Sequence, residues 1–311
     1  MAEHHWGWLI AIYLFLGGMG AGSFLVAALV ELTGERYKHN YCPTTLIGAG
    51  VSGPLIAIGT VLLIFDLGAG LREPWRILYM FTNFSSVMTW GIWILTLFLP
   101  ICFLYGLLEL MHVYPGILAW FRKWLRFLPE DLPYRRIKQA VCGVGSVLAL
   151  GTAAYTGVLL SVVEAVPFWN TLVLPALFIV SAVSTGMGLT IDLAATLAVP
   201  TVQRRFEYLP IIHIVFIGLE ALLLGLLLVL ALSEGGPAAE SARLILTGPG
   251  SVLFWVIVGG FGLLYPLLVH AYALARHAHG YLSGILSGVG IVIAGLFVRY
   301  LIVAAAVPVA V

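Results

Sequence analysis

Eight apolar stretches, each long enough to cross a bilayer, take up most of the 311 residues. They run at about 6–31, 46–67, 86–112, 139–163, 172–200, 209–232, 249–275 and 282–305. A spanning helix needs about 20 mostly apolar residues, and in hydrocarbon only helices and closed barrels satisfy their own backbone groups. These runs are far longer than the roughly 10-residue alternating strands of a barrel. The fold class that follows is all-α integral membrane, with eight transmembrane helices. Composition agrees: 9% of residues are charged, against about a quarter in a soluble domain.

Lysine and arginine set the orientation. The connections after spans 1, 3, 5 and 7 hold eleven of them: Arg36, Lys38, Arg122, Lys123, Arg126, Arg135, Arg136, Lys138, Arg204, Arg205 and Arg276. The other side holds three, Arg72, Arg76 and Arg243, and Arg299 lies within the last span. The positive-inside rule places the eleven in the cytoplasm and both termini outside, which in a bacterium is the periplasm. The expected location is the bacterial cytoplasmic (inner) membrane, crossed many times. Met1 to Trp8 has no lysine or arginine, so the first span lacks the basic start of a cleavable signal and reads as an uncleaved helix.

A net charge of +1 gives no case for nucleic acid as a partner. Cys42, Cys102 and Cys142 are widely separated, with no spacing that would hold a zinc ion or an iron–sulfur cluster. They read as small packing residues.

Two connections stand out. The segment at about 113–138 contains Trp120, Trp124 and Phe127, and its apolar residues Ile117, Leu118, Phe121, Leu125 and Leu128 suit an interfacial helix on anionic lipid. The break at Ser233–Leu246, with Gly235–Pro237, reads as an outer loop. Glycines crowd the first span (Gly17, Gly18, Gly20, Gly22) and the last (Gly284, Gly288, Gly290, Gly295). With no strand before them they do not form a phosphate loop, and close helix packing is their expected role. Eight spans divide naturally into two groups of four, 1–163 and 164–311.

Charge at membrane depth costs about 2.5–3.5 kcal/mol on insertion scales, so each such residue needs a partner, a cavity or a task. Towards the outside lie Asp66, Tyr155 and Arg299, with Asn83, Ser85 and Glu164 in or beside the outer loops. Glu220 lies nearer the middle, and Asp192, His213, His270, Glu109 and Glu31 lie towards the cytoplasm. The outer group has the chemistry a quinone needs: a hydrogen-bonding partner for each ring oxygen, an acid/base group and an apolar slot. Tyr155 and Asn83 can bond a carbonyl, and Asp66 can take a proton. Arg299 either binds the ring or pairs with Asp66 as a structural tie between spans 2 and 8. The inner residues Asp192, Glu220 and His213 resemble a proton relay, with Glu220 the central candidate. For His213 and Glu31 the alternative is that they sit at helix ends and reach headgroups. His112, His277 and His279 read as interfacial. His213 and His270 are near enough in depth for one haem-ligating pair, but no histidine lies at outer depth within a span, so a two-haem chain across the membrane is excluded and a haem-free chain is expected.

Taken in order, six motifs resemble the polysulfide-reductase membrane-subunit family, the NrfD-like quinone-interacting anchors. They are YLFLGGMGAGSFL in the first span, DLG at Asp66–Gly68, NFSSVMTWGIWIL from Asn83, YTGVLLS at Tyr155–Ser161, PFWNTLVLPALFIVSAVSTG from Pro167, and FVRYLIVAAA at Phe297–Ala306. The resemblance covers nearly the whole chain. It implies two four-helix bundles, with menaquinone or ubiquinone bound near the outer face of the first, and no haem or iron–sulfur cluster in this chain. It implies a ferredoxin-like iron–sulfur subunit docked on the periplasmic face, often serving a molybdenum or tungsten catalytic subunit. Carried over, Asp66 and Tyr155 are quinone-site residues, Gly18 lines the pocket, and Arg299 is the arginine of the last helix. The glycines of span 1 have no asparagine or other strong polar residue beside them, so part of the hydrogen bonding to the ring is expected from another helix or from backbone.

The function expected is therefore that of a membrane subunit of a respiratory oxidoreductase, passing electrons between quinol and an iron–sulfur partner, with transmembrane proton movement as a further possibility. A proton-coupled secondary transporter or a passive anchor are the alternatives. The absence of matched broken-helix pairs speaks against the transporter.

Overall fold

The computed structural model describes residues 7–33, 42–66, 79, 81–114, 116, 134–192, 209–276 and 281–309. Among them every regular element is helical, and eight helices are long and apolar enough to cross a membrane. In chain order these are α1 (Trp8–Thr33), α2 (Cys42–Asp66), α3 (Val87–Val113), α4 (Tyr134–Ser161) and α5 (Val173–Met187), the last extended by a π-helical turn, Gly188–Asp192. Next come α6 (Leu209–Glu234) and a short helix, α7 (Gly236–Leu246). The seventh span is a π-helical stretch, Leu253–Leu264, that runs directly into α8 (Tyr265–Arg276), and α9 (Tyr281–Ala304) is the last. The interfacial segment read at 113–138 falls largely outside the described residues, as do Leu67 and Gly68 of DLG, His277 and His279, and the side chains of Cys42, His112 and Asp192.

Polar residues fit within these helices by bonding their own backbone. Ser23 donates to the Met19 carbonyl at 2.8 Å, Thr60 to Ile56 at 2.8 Å, Thr185 to Ser181 at 2.8 Å and Thr190 to Gly186 at 2.7 Å. Each hydroxyl is satisfied one turn back and needs no water.

α1 packs on α2 and α4, α2 on α3, and α3 on α4, so these four close a ring. α6 packs on α5 and α8, and α9 on α8 and the π-helical stretch, while α1 also touches α5 and α9. α1 and α5 are accordingly the two most buried spans. They cross at Gly22 and Gly186: a methyl on Gly22 would overlap the Ala182 carbonyl, and one on Gly186 would overlap the Gly22 backbone. The glycine cluster of the first span therefore serves close backbone approach, as expected.

Two readings change. The supposed loop 233–246 contains α7, because after the turn at Gly235 (φ 80°) and Gly236 (φ 55°) the residues Ala238, Ala239, Ser241, Ala242 and Ile245 bury one helical face. Lys138, counted among the cytoplasmic basic residues, is inside α4 and buried. Its ammonium lies 2.8 Å from Glu31 of α1 and 2.6 Å from Glu109 of α3. Glu31 is thus a partner in a buried clasp joining three helices, and it does not reach for headgroups.

Candidate functional site

A cleft opens inside the ring of four, towards the end opposite the lysine- and arginine-rich connections. It is a narrow slot with an open mouth. α1 contributes Tyr13, Leu14 and Gly17, and α2 contributes Ile56, Gly59, Thr60 and Leu63. Leu95 comes from α3, and Thr152, Tyr155 and Thr156 from α4. Small residues make the space: a methyl at Gly59 would stand 3.3 Å from the Gly17 nitrogen. The Tyr155 ring in turn lies against Gly91 of α3, where a methyl group would overlap it.

The hydroxyls of this cleft are not equivalent. Those of Thr60, Thr152 and Thr156 donate to carbonyls of their own helices. The Tyr155 hydroxyl is buried and has no partner. An unpartnered buried hydroxyl in an apolar slot is costly unless a ligand meets it. The cleft therefore holds one buried donor that is left free for an acceptor.

Of the residues read from the sequence, Tyr155 and Gly17 line this cleft. Asp66 stands exposed at the end of α2, three residues beyond Leu63, and within electrostatic range of Tyr13. Asn83 is exposed and its carbonyl oxygen accepts a bond from Ser85 at 2.6 Å. Gly17 lines the cleft; Gly18 faces Arg299, whose Nη2 would lie 2.8 Å from a methyl there.

Arg299 departs most from expectation. It is fully buried, belongs to the same level as Glu220, and makes no ion pair with Asp66. Its Nη1 donates to Ser181 at 3.0 Å and to the Gly295 carbonyl at 2.8 Å. Its guanidinium stacks between Phe15 (5.6 Å) and Phe178 (5.2 Å). The reason is geometric: Asp66 ends α2 on the far side of α1, whereas Ser181 and Glu220 face Arg299 directly.

From Arg299 a file of buried polar groups runs along the second set of helices. The Glu220 carboxyl faces Ser181, Ser184 and Arg299. Two turns along α6, His213 faces the Ser184 backbone and stands with its ring centroid 4.7 Å from that of His270. His270 Nε2 is in turn 3.5 Å from the Ser287 hydroxyl. All are buried. The histidine pair does not fit a haem: with metal–nitrogen bonds of about 2 Å, two imidazoles on opposite sides of one iron would have centroids about 6 Å apart. Asp192 ends the π-helical turn after α5, and its side chain lies outside the described residues.

The sequence profile described as "Polysulphide reductase, NrfD" matches residues 2–310. The chain belongs to this family. A polysulfide reductase chain of Wolinella succinogenes is 35% identical over 272 residues, covering 85% of this chain and 82% of that one. Protein NrfD of Escherichia coli is 29% identical over 285 residues, 85% and 83% of the two chains. A selenate reductase subunit of Mesobacillus selenatarsenatis is 24% identical over 321 residues, 96% of this chain and 73% of that one. This member of the NrfD family is thus a multi-pass integral membrane protein, and its relatives include a polysulfide reductase chain and a selenate reductase subunit.

Within this NrfD-family protein the sequence reading missed Tyr13, Thr152 and Thr156 in the cleft, and Ser181 and Ser184 beside Glu220. Tyr13 belongs to the glycine-rich first span and brings a phenol ring to the cleft. A signal for it existed: Tyr13 is four residues before Gly17, so both lie on one helix face. The serines carried no signal, because a serine within an apolar helix reads alike in sequence whichever way it points.

Proposed function

We propose that the chain is the quinone-reactive membrane subunit of a respiratory oxidoreductase complex, with the cleft on α1–α4 as its quinone site. The observation that carries this reading is the Tyr155 hydroxyl, buried without a partner in an apolar slot floored by glycine. A menaquinone or ubiquinone bound there supplies a two-electron, two-proton couple. Tyr155 donates a hydrogen bond to one ring carbonyl and fixes its orientation. Leu14, Ile56, Leu63 and Leu95 exclude water from the ring. Tyr13, within electrostatic range of both Tyr155 and Asp66, relays protons to the exposed Asp66 carboxylate at the cleft's end of the bundle.

Electrons leave to, or arrive from, an iron–sulfur subunit docked at that end, which the positive-inside rule makes the periplasmic face of a bacterial cytoplasmic membrane. A molybdenum or tungsten catalytic subunit acts on the terminal substrate. In the second set of helices, the file from Arg299 through Glu220 and His213 to His270 supports proton movement towards the opposite side, with Asp192 near its cytoplasmic end.

The test is naphthoquinone binding to the purified full-length protein, followed by quenching of tryptophan fluorescence. Tyr155→Phe is expected to weaken binding about three- to tenfold, the worth of one hydrogen bond, with unchanged thermal stability. Failure of the unsubstituted protein to bind would overturn the reading, and equal affinity of the two would remove Tyr155 from it.

A further inference from the structure

The wall between the cleft and the buried arginine is one helix thick. Gly17 of α1 lines the cleft, and its neighbour Gly18 meets the Arg299 guanidinium on another face of the same helix. Both positions lack a side chain, so little besides backbone separates the charge from the slot. A helix is about 10 Å across, and no water or counter-ion layer screens a charge acting over that distance within a bilayer.

Arg299 is not alone. Glu220 faces it across Ser181, and both are almost wholly buried. Among the described residues of α1, α5, α6 and α9 no other charged side chain lies at this level; His213 is two turns away on α6, with His270 beyond it. When Glu220 is ionised the pair is neutral and its field at the cleft is that of a dipole. When Glu220 carries a proton, the full positive charge of Arg299 acts through α1.

We propose that Arg299 is a positioning residue for charge rather than a quinone ligand: it favours negative charge on a ring in the cleft through the glycine wall of α1, to a degree set by the protonation of Glu220. This rests on the quinone reading of the cleft. It links the two groups of helices without a continuous proton path between them. A proton arriving at Glu220 makes the cleft more favourable to an electron-rich ring, and removal of that proton reverses the effect. The size follows from two unit charges about 10 Å apart at an effective dielectric of about 20, which is roughly a tenfold change in relative affinity.

The experiment compares binding of a hydroxynaphthoquinone that is anionic at neutral pH with that of an uncharged naphthoquinone, on the full-length protein in detergent. The quantity read is the ratio of their affinities. In Glu220→Gln, which leaves Arg299 uncompensated, the ratio is expected to be about tenfold higher in favour of the anion than in Arg299→Met. The double variant Glu220→Gln/Arg299→Met, which removes both charges, is expected to match Arg299→Met, where the buried and now unpaired Glu220 takes up a proton. The unsubstituted protein should move between the two limits with pH, while Glu220→Gln should not. A ratio that is the same in Glu220→Gln and the double variant overturns the inference while leaving quinone binding intact. If the unsubstituted protein binds neither compound, the quinone reading itself fails and this inference falls with it.

Discussion

The ring of Tyr155 on α4 rests against the backbone of Gly91 on α3 so closely that no side chain fits between them. The position of the buried, unpartnered Tyr155 hydroxyl therefore depends on a residue that offers no chemistry of its own. Gly91→Ala is expected to displace the ring, weaken naphthoquinone binding at least as much as Tyr155→Phe, and destabilise the fold by about 1–3 kcal/mol through overpacking. Binding titration and thermal unfolding of the same sample check both parts. Full affinity in Gly91→Ala would show that the Tyr155 ring does not set the site.

Lys138 gives a prediction about stability alone. It joins Glu31 and Glu109 within a buried clasp of α1, α3 and α4. Removing one partner of a buried ionic group leaves its counter-charges without compensation, at a cost of about 3–5 kcal/mol. Lys138→Met should lower the unfolding midpoint strongly, and Lys138→Arg much less. The cleft lies at the other end of these helices, so any Lys138→Met protein that folds should bind naphthoquinone normally. A midpoint equal to that of the unsubstituted protein would reduce the clasp to a neutral contact.

The fold was legible because a bilayer permits so few solutions. Length and apolarity alone marked all eight spans, and the glycines of the first span forecast close packing that the α1–α5 crossing at Gly22 and Gly186 displays. The site was legible only where a residue type was conspicuous. Tyr155 was singled out, since a tyrosine at membrane depth needs a reason, and it lines the cleft. Arg299 was found as a residue but assigned the wrong neighbours, because depth along a span says nothing about which face a side chain occupies. With Asp66 and Arg299 both placed towards the outside, only the packing of α9 on α1 and α5 shows that the arginine looks at Ser181 and Glu220. Lys138 was misread for a related reason. Charge counting treats a lysine near a helix start as part of the loop, and the two carboxylates that bury it come from helices distant in sequence.

His213 supplies the last prediction, since it separates a proton file from a merely buried polar cluster. Its ring is fully buried, facing the Ser184 backbone, beside His270 and two turns along α6 from Glu220. If the file conducts protons, His213→Asn should diminish proton uptake from the lysine- and arginine-rich side during quinone-linked turnover of the whole complex in liposomes, read with a pH-sensitive dye. Naphthoquinone binding at the cleft should stay unchanged, because His213 belongs to α6 and the cleft to α1–α4. A structural role predicts another pattern: lower thermal stability, with the ratio of protons taken up to electrons transferred as before. An unchanged ratio in a well-folded His213→Asn protein would leave the second set of helices without a proton route through this histidine.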